Sequence, residues 1–202
     1  MERLSLSVQL FTLTEAAPHS FTMKISKDHP CYYFTSVTHR RLPVFRTVKL
    51  KEIAAKAINE ARKSGGFLIF AYVIMLDHYH LITDGNRKPS DILRFLNGIT
   101  ARRVIEYLKE FEFEESLKKL RKQTGKRNYR HSLWQHHPNA FQITGEKMFM
   151  QKVNYIHQNP VRAGLVKHPD DYLYSSARIW NRRALDDEPL EMDIDQIEWR
   201  RR

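Results

Sequence analysis

The chain has 202 residues, of which 42% are hydrophobic and 28% charged, with a formal net charge of +11. This balance is typical of a globular domain with extensions and excludes a largely disordered chain. Cys31 is the single cysteine, which excludes an internal disulfide and a zinc site built from cysteines. No run reaches the roughly 18 apolar residues of a membrane helix, and residues 1–20 lack a signal-peptide pattern, so we expect a cytoplasmic protein with no membrane partner.

The positive charge is distributed unevenly along the chain. Seven of the 23 acidic residues lie within 186–198, so the remainder of the chain is more basic than the average suggests. A surface of this kind favours a polyanionic partner such as nucleic acid, although charge also serves simply to keep a protein soluble. The acidic stretch has two interpretations, a cover that packs over the basic face or a disordered tail that aids solubility.

The first regular elements follow an N-terminal extension, residues 1–29. Aromatic and β-branched residues at 31–38 predict a strand. Residues 47–63 predict a helix, because apolar residues recur there at helical spacing. Gly65 and Gly66 then end that helix.

A long apolar run follows at residues 67–83. Its polar end favours a division near Asp77 into two antiparallel strands, 67–75 and 78–83. The first of these is almost wholly apolar, which is typical of a buried central strand.

Two further helices are predicted in the second half of the chain. One begins after Pro89 with Ser90 as its N-cap, and the other covers 146–158, capped by Thr144 or Gly145 and ended by Pro160. Between them lies a basic stretch, residues 118–137, which we expect to hold a loop and a short strand around residues 133–135.

The order strand, helix, strand, strand, helix, strand, helix predicts an α+β fold. We expect a ferredoxin-like antiparallel sheet with helices on one face and an added C-terminal helix. This domain is assigned to residues 30–180, and residues 181–202 form an acidic then basic tail.

Two pairs of residues carry candidate chemistry. His78 and His80 are two apart on a predicted strand, so both imidazoles point to one face of the sheet. Tyr155 and Asn159 are four apart on a predicted helix and share a face of it. Imidazole and amide oxygen are reasonable ligands for Mg²⁺ or Mn²⁺ when phosphate and water complete the shell, and a phenol beside such a metal is a candidate nucleophile.

Simpler interpretations exist for each of these residues. An isolated histidine pair is more often structural, and Tyr155 suits a core position if its hydroxyl has a partner. His157 lies off the Tyr155 face and is either a DNA contact or an ordinary helix-end residue. Arg162 suits a DNA contact and a buried ion pair equally.

The sequence around these residues resembles a known family. His78-Tyr79-His80 resembles the HUH motif (histidine, bulky hydrophobic, histidine), and residues 154–166 resemble the block around the nucleophile of REP-associated tyrosine transposases. These are relatives of the single-tyrosine HUH transposases of insertion sequences. Residues 133–135 and 170–177 resemble the flanking segments, so that the similarity extends from about Tyr32 to Ala177.

The resemblance implies a fold of the HUH nuclease type and a residue-by-residue assignment. His78, His80 and Asn159 would bind a divalent metal, Mg²⁺ or Mn²⁺, and Tyr155 would attack a phosphate of single-stranded DNA to leave a 5′-phosphotyrosine. The family recognises palindromic hairpins, and its REP-associated members act as monomers. Asp77 departs from the family, which has asparagine there, and would either change metal affinity or hold His78 in place.

The basic stretch is the predicted DNA-binding segment, with Tyr129 and Trp134 available to stack on bases. The alternative is a solvated loop. With Arg162, the predicted DNA contacts are Lys118, Lys119, Arg121, Lys122, Lys126, Arg127 and Arg130.

The sequence therefore predicts a metal-dependent transposase or endonuclease that acts on single-stranded DNA. Two alternative functions belong to other classes of protein. One is a non-catalytic or domesticated nucleic-acid-binding protein of the same fold, which the intact histidines and tyrosine disfavour. The other is a relaxase or replication initiator, which the block at 154–166 does not suit.

Overall fold

Four antiparallel strands form one sheet in the computed structural model, which describes residues 22–121, 131–135 and 139–199. The strand order is β2-β3-β1-β4, so the two strands at the centre are the first and the third along the chain. The bounds are β1 Cys31–Val37, β2 Ile69–Ile74, β3 His78–Asp84 and β4 Asn139–Ile143.

Helices cover both faces of this sheet. α1 and α2 pack along each other on one face, where the Tyr79 hydroxyl of β3 donates to the Asn97 side chain of α2 over 2.6 Å. α4 contacts β2 and β3 on the opposite face. The predicted α+β class is confirmed, with α4 as the added helix. The bounds are α1 Val48–Gly65, α2 Pro89–Glu110, α3 Glu114–Lys119, α4 Glu146–Arg162 and α5 Ala177–Trp180.

The ends of α1 follow from its flanking residues. The Thr47 side chain accepts a hydrogen bond from the Leu50 backbone N–H, which satisfies one of the unpaired donors of the first turn. Gly66 closes the helix with a φ of 60°, a left-handed conformation that glycine adopts without steric cost. The predicted helix at 47–63 is confirmed with a slightly later end.

The start of α2 differs from the prediction. Ser90 lies inside the helix, and Lys88 is the N-cap. Pro89 occupies the first helical position, where its fixed φ suits the helix and its missing N–H costs no hydrogen bond. Proline therefore set this boundary, and the prediction of Ser90 as the cap was wrong.

The fourth strand lies later in the chain than the sequence predicts. Residues 133–135 form only an isolated bridge, in which Trp134 pairs with Thr38, and the strand itself is Asn139–Ile143. The Trp134 side chain is buried against Tyr79 at a ring-centroid distance of 5.1 Å. It is a core residue on the α2 face, so its predicted role in stacking on DNA bases is also wrong.

Pro160 lies within α4, although it was predicted to end it. The helix continues to Arg162, because proline removes only the hydrogen bond of its own missing N–H, and the Ala163 N–H beyond it still donates to an upstream carbonyl. The following turn is secured by hydrogen bonds from the Ala163 N–H to the Asn159 carbonyl and from the Leu165 N–H to the Pro160 carbonyl.

The acidic C-terminal segment is packed against the rest of the fold. Asp193 is buried, accepts hydrogen bonds from the Arg62 guanidinium of α1, and accepts another from the Ile69 backbone N–H over 2.8 Å. Leu190 and Ile197 are buried as well. The expectation of a disordered tail is wrong for residues 186–199; the division of the chain at 29/30 and 180/181 stays a prediction.

Segments at both ends of the domain complete the sheet and its core. Met23 pairs with Ile197 in a parallel bridge. The Ser176 N–H donates to the Tyr72 carbonyl, and the Ile74 N–H to the Tyr174 carbonyl, so that the outer edge of β2 is partly covered. Within the described ranges, no helix has the length and apolarity needed to cross a membrane.

Replacement of Asp193 by alanine tests how far the C-terminal segment stabilises the fold. We expect Asp193→Ala to lower the free energy of unfolding by about 3 kcal/mol, because the half-buried Arg62 keeps only its exposed partner Glu191 and the buried Ile69 N–H loses its acceptor. Asp195→Ala is the matched control, since Asp195 is exposed and a surface change of this kind costs less than about 0.5 kcal/mol. Urea denaturation followed by circular dichroism measures both; equal effects would contradict the prediction.

Candidate active site

The two histidines of the site lie on β3 and face the same side of the sheet. His78 begins the strand and His80 follows two residues later, and their ring centroids are 4.8 Å apart. The predicted common orientation is therefore confirmed.

His80 is held from the neighbouring strand β1. Its Nδ1 lies 2.7 Å from the Tyr33 hydroxyl and 2.8 Å from the Thr35 hydroxyl. Thr35 is its partner in the β1–β3 register, so both hydroxyls belong to residues on the same face. Burial, and then the neighbouring His78 and Lys152 side chains, lower the pKa of His80 to about 3, so that the imidazole is neutral at physiological pH.

His78 is held by Asp77, the residue that precedes it in the chain. Its Nδ1 lies 2.6 Å from the Asp77 carboxylate, and the same carboxylate pairs with Arg41 over 3.1 Å. Of the two roles predicted for Asp77, the structure thus provides the contact that holds His78.

α4 brings Tyr155 against this pair. Phe149, Val153 and Ile156 form the buried stripe of the helix, which leaves the Tyr155 ring beside the sheet with its centroid 5.5 Å from that of His80. Tyr155 remains 39% exposed. The alternative of a core tyrosine is wrong, because a large part of the ring is accessible to a ligand.

The second tyrosine near His80 has a different environment. Tyr33 is buried, and burial raises the pKa of its phenol well above the usual value. Its hydroxyl is already in contact with His80. Of the two phenols, Tyr155 is therefore the one placed to meet a substrate.

Asn159 lies one helical turn beyond Tyr155. Its Nδ2 donates to the Tyr155 carbonyl over 3.0 Å, which leaves its Oδ1 outside that bond. The amide oxygen, not the nitrogen, is the atom that a hard divalent cation binds.

The donor set fits a divalent cation. The Nδ1 atoms of His78 and His80 are both in contact with oxygen atoms, an arrangement that fixes the rings and would present Nε2 to a metal. Over the described ranges no three His, Cys, Asp or Glu side chains cluster as metal ligands. The role of Asn159 as the third protein ligand stays a prediction; the residue lies on α4, one turn beyond Tyr155.

Three residues near the site were not predicted from the sequence. The Lys152 ammonium group lies 4.7 Å from the Tyr33 ring centroid and 4.8 Å from that of Phe141 on β4. Lys152 precedes Tyr155 by three residues, a spacing that places both on neighbouring parts of one helix face. Tyr33 was identifiable only through the strand register, which the sequence alone does not give.

Two further residues of α4, Arg162 and His157, were candidates for contact with DNA. Arg162 is exposed, with its guanidinium carbon 5.3 Å from the Tyr155 ring centroid, so a buried ion pair is wrong. His157 is buried and lies 2.9 Å from the Ser176 hydroxyl; burial lowers its pKa to about 4, and a DNA contact is wrong for it.

The predicted DNA-binding segment is described only in part. Lys118 and Lys119 are exposed at the end of α3, where Lys118 pairs with Glu115 over 2.7 Å, and Arg121 is exposed in a bridge with His131. The remaining candidates lie outside the described residues: Lys122, Lys126, Arg127, Tyr129 and Arg130.

Comparisons with known proteins bear on the family and the fold of the chain. The model of the family "Transposase IS200 like" matches residues 26–159. The structure of a REP-associated tyrosine transposase bound to a REP hairpin aligns with a TM-score of 0.56 and 21% identity, over 81% of this chain and 86% of that one. This likeness supports the fold.

A weaker match is a 1.90 Å crystal structure of a candidate transposase from Deinococcus radiodurans R1, at a TM-score of 0.43 and 18% identity, over 63% of this chain and 88% of that one. A TM-score this low carries no argument about the fold. The curated proteins contain no match to the chain.

The environment of His80 leads to a direct spectroscopic prediction. In the metal-free protein, the imidazole should stay neutral from pH 8 down to about pH 4, because burial and adjacent positive charge lower its pKa from 6.5 to about 3. Nitrogen-15 chemical shifts of the ring, assigned with His80→Gln, measure this directly. A protonation step near pH 6.5 would contradict the prediction.

Proposed function

Since the chain belongs to the IS200-like transposase family, we propose that it cleaves and rejoins single-stranded DNA through Tyr155, with a divalent metal, at hairpins of the REP type. The observation that carries this proposal is the position of the Tyr155 ring, 5.5 Å from His80 by centroids and 39% exposed. A phenol in this position is accessible to DNA and adjacent to the histidine pair.

The proposed reaction is a transesterification at phosphorus. The Tyr155 hydroxyl oxygen attacks the phosphate, the bond between phosphorus and the 3′ oxygen breaks, and the phenolic proton is balanced by protonation of the departing 3′ oxygen. The products are a 5′-phosphotyrosine and a free 3′-hydroxyl. Attack by a 3′-hydroxyl on the phosphotyrosine then joins the strands and restores the phenol.

His78, His80 and Asn159 would hold the metal, either Mg²⁺ or Mn²⁺. When bound, such a cation polarises the phosphodiester and stabilises the negative charge that develops on its oxygens. Asp77 orients His78, and the hydroxyls of β1 orient His80. Arg162, exposed beside the Tyr155 ring, is available to contact a DNA phosphate.

The basic segment is proposed to grip the DNA. Residues 131–135 are anchored next to the histidine pair, because the Gln135 N–H donates to the Val37 carbonyl and the His39 N–H donates to the Leu133 carbonyl. Val37 is the register partner of His78.

The structural neighbour bound to a REP hairpin supports a hairpin substrate for this chain. We propose that a monomer binds it, as the resemblance to the REP-associated group implies, and that the reaction takes place in the cytoplasm.

Replacement of the nucleophile tests the reaction. With Mn²⁺ and labelled single-stranded DNA that carries a palindromic repeat flanking the gene, the protein should form an adduct that survives denaturing electrophoresis. Tyr155→Phe should abolish the adduct, because the attacking oxygen is missing. Tyr107→Phe, on α2 and away from the site, is the matched control and should react normally.

An adduct that persists in Tyr155→Phe would overturn the assignment of the nucleophile. No adduct with any such repeat, together with tight DNA binding, would favour the alternative of a non-catalytic nucleic-acid-binding protein.

The metal site is tested by calorimetric titration with Mn²⁺. Asp77→Ala should weaken the binding of Mn²⁺ about 10- to 100-fold, because the carboxylate no longer fixes the His78 ring. His78→Ala should remove measurable binding. Asp91→Ala, which removes a carboxylate from α2, is the control and should bind Mn²⁺ with unchanged affinity. Unchanged affinity in Asp77→Ala and His78→Ala as well would show that the metal binds elsewhere.

A further inference from the structure

Aromatic rings follow one another across three neighbouring strands on the α4 face of the sheet. Tyr33 on β1 is the register partner of Phe141 on β4, and it stacks on His80 of β3 with ring centroids 5.3 Å apart and planes 21° apart. Tyr33 is buried, whereas Phe141 is 42% exposed. The row therefore leads from the histidine pair out to an accessible ring on an edge strand.

Lys152 of α4 lies over this row. Its ammonium group is 4.7 Å from the centroid of Tyr33, 4.8 Å from that of Phe141 and 6.0 Å from that of Tyr155. Across the described part of the chain, no carboxylate lies within ion-pair distance of Lys152. Its positive charge thus lies against three aromatic rings, and no described acidic side chain pairs with it.

We propose that Phe141 and Lys152 form a nucleotide subsite adjacent to Tyr155, in which Phe141 stacks on one unpaired base and Lys152 contacts the phosphate of the same nucleotide. The inference rests on the proposed function for its ligand, single-stranded DNA. An exposed ring beside an unneutralised cation is the combination that binds unpaired nucleotides, because every base has a face to stack and every nucleotide a negative charge.

The arrangement also explains a feature of β4. A large exposed aromatic side chain on an edge strand favours unwanted association, and its position beside Lys152 and Tyr155 gives it a use that an average surface residue does not have. The subsite lies at the exposed end of the aromatic row, so a single strand of DNA would pass from Phe141 toward Tyr155 and the histidine pair.

Binding experiments separate this inference from the cleavage reaction. Anisotropy is measured with Tyr155→Phe protein and a fluorescein-labelled hairpin that has a single-stranded flank, made once with normal bases and once with abasic sites throughout the flank. Phe141→Leu should weaken binding of the normal probe about tenfold and leave binding of the abasic probe unchanged. Phe141→Trp, which keeps a ring, should restore the affinity.

The lysine is tested by the salt dependence of the same binding. Lys152→Gln should reduce the slope of log affinity against log salt by about one, as expected for the loss of one phosphate contact, and Lys152→Arg should retain it. Lys147→Gln is the matched control, because Lys147 is exposed on the same helix outside the aromatic row, and its slope should not change.

Equal weakening of the normal and abasic probes by Phe141→Leu would overturn the stacking role, and so would no weakening of either. An unchanged slope in Lys152→Gln would overturn the phosphate contact. If the wild-type protein forms no adduct but these effects are seen, the subsite is supported and the proposed reaction is wrong. If it forms an adduct without these effects, the reaction is supported and the subsite is wrong.

Discussion

The packing of α4 on the sheet is the contact on which the site depends. Its buried stripe, Phe149, Val153 and Ile156, fixes the rotation of the helix about its axis. That rotation brings Tyr155 against His80 and places Asn159 one turn further along. A helix turned by one residue, about 100°, would carry the phenol away from the histidines while preserving every element of secondary structure.

Much of the fold was predictable because its signals are local. The aromatic strand at β1, the helical periodicity of α1 and the His78–His80 spacing each depend on residues close in the chain, and Thr47 and Gly66 mark the ends of α1. The face shared by Tyr155 and Lys152 was also accessible in principle from their spacing, although only Tyr155 was predicted.

The remaining features depend on contacts distant in sequence. β4 is short and mostly exposed, so it lacks the alternation that identifies a strand, whereas Trp134 attracted the prediction because it is apolar. The burial of Trp134 depends on Tyr79, which is distant from it in the sequence. The C-terminal segment seemed disordered because its acidity is visible in sequence, but the Arg62 that pairs with Asp193 lies 131 residues earlier.

The central claim is that Tyr155 is the group that becomes joined to DNA. The most direct measurement is mass spectrometry of the trypsin- and nuclease-treated adduct, since cleavage after Lys152 and Arg162 releases a peptide, residues 153–162, with a single tyrosine. The account predicts that this peptide carries the mass of a nucleotide phosphate on Tyr155. A nucleotide on any other residue, Tyr33 included, would contradict it.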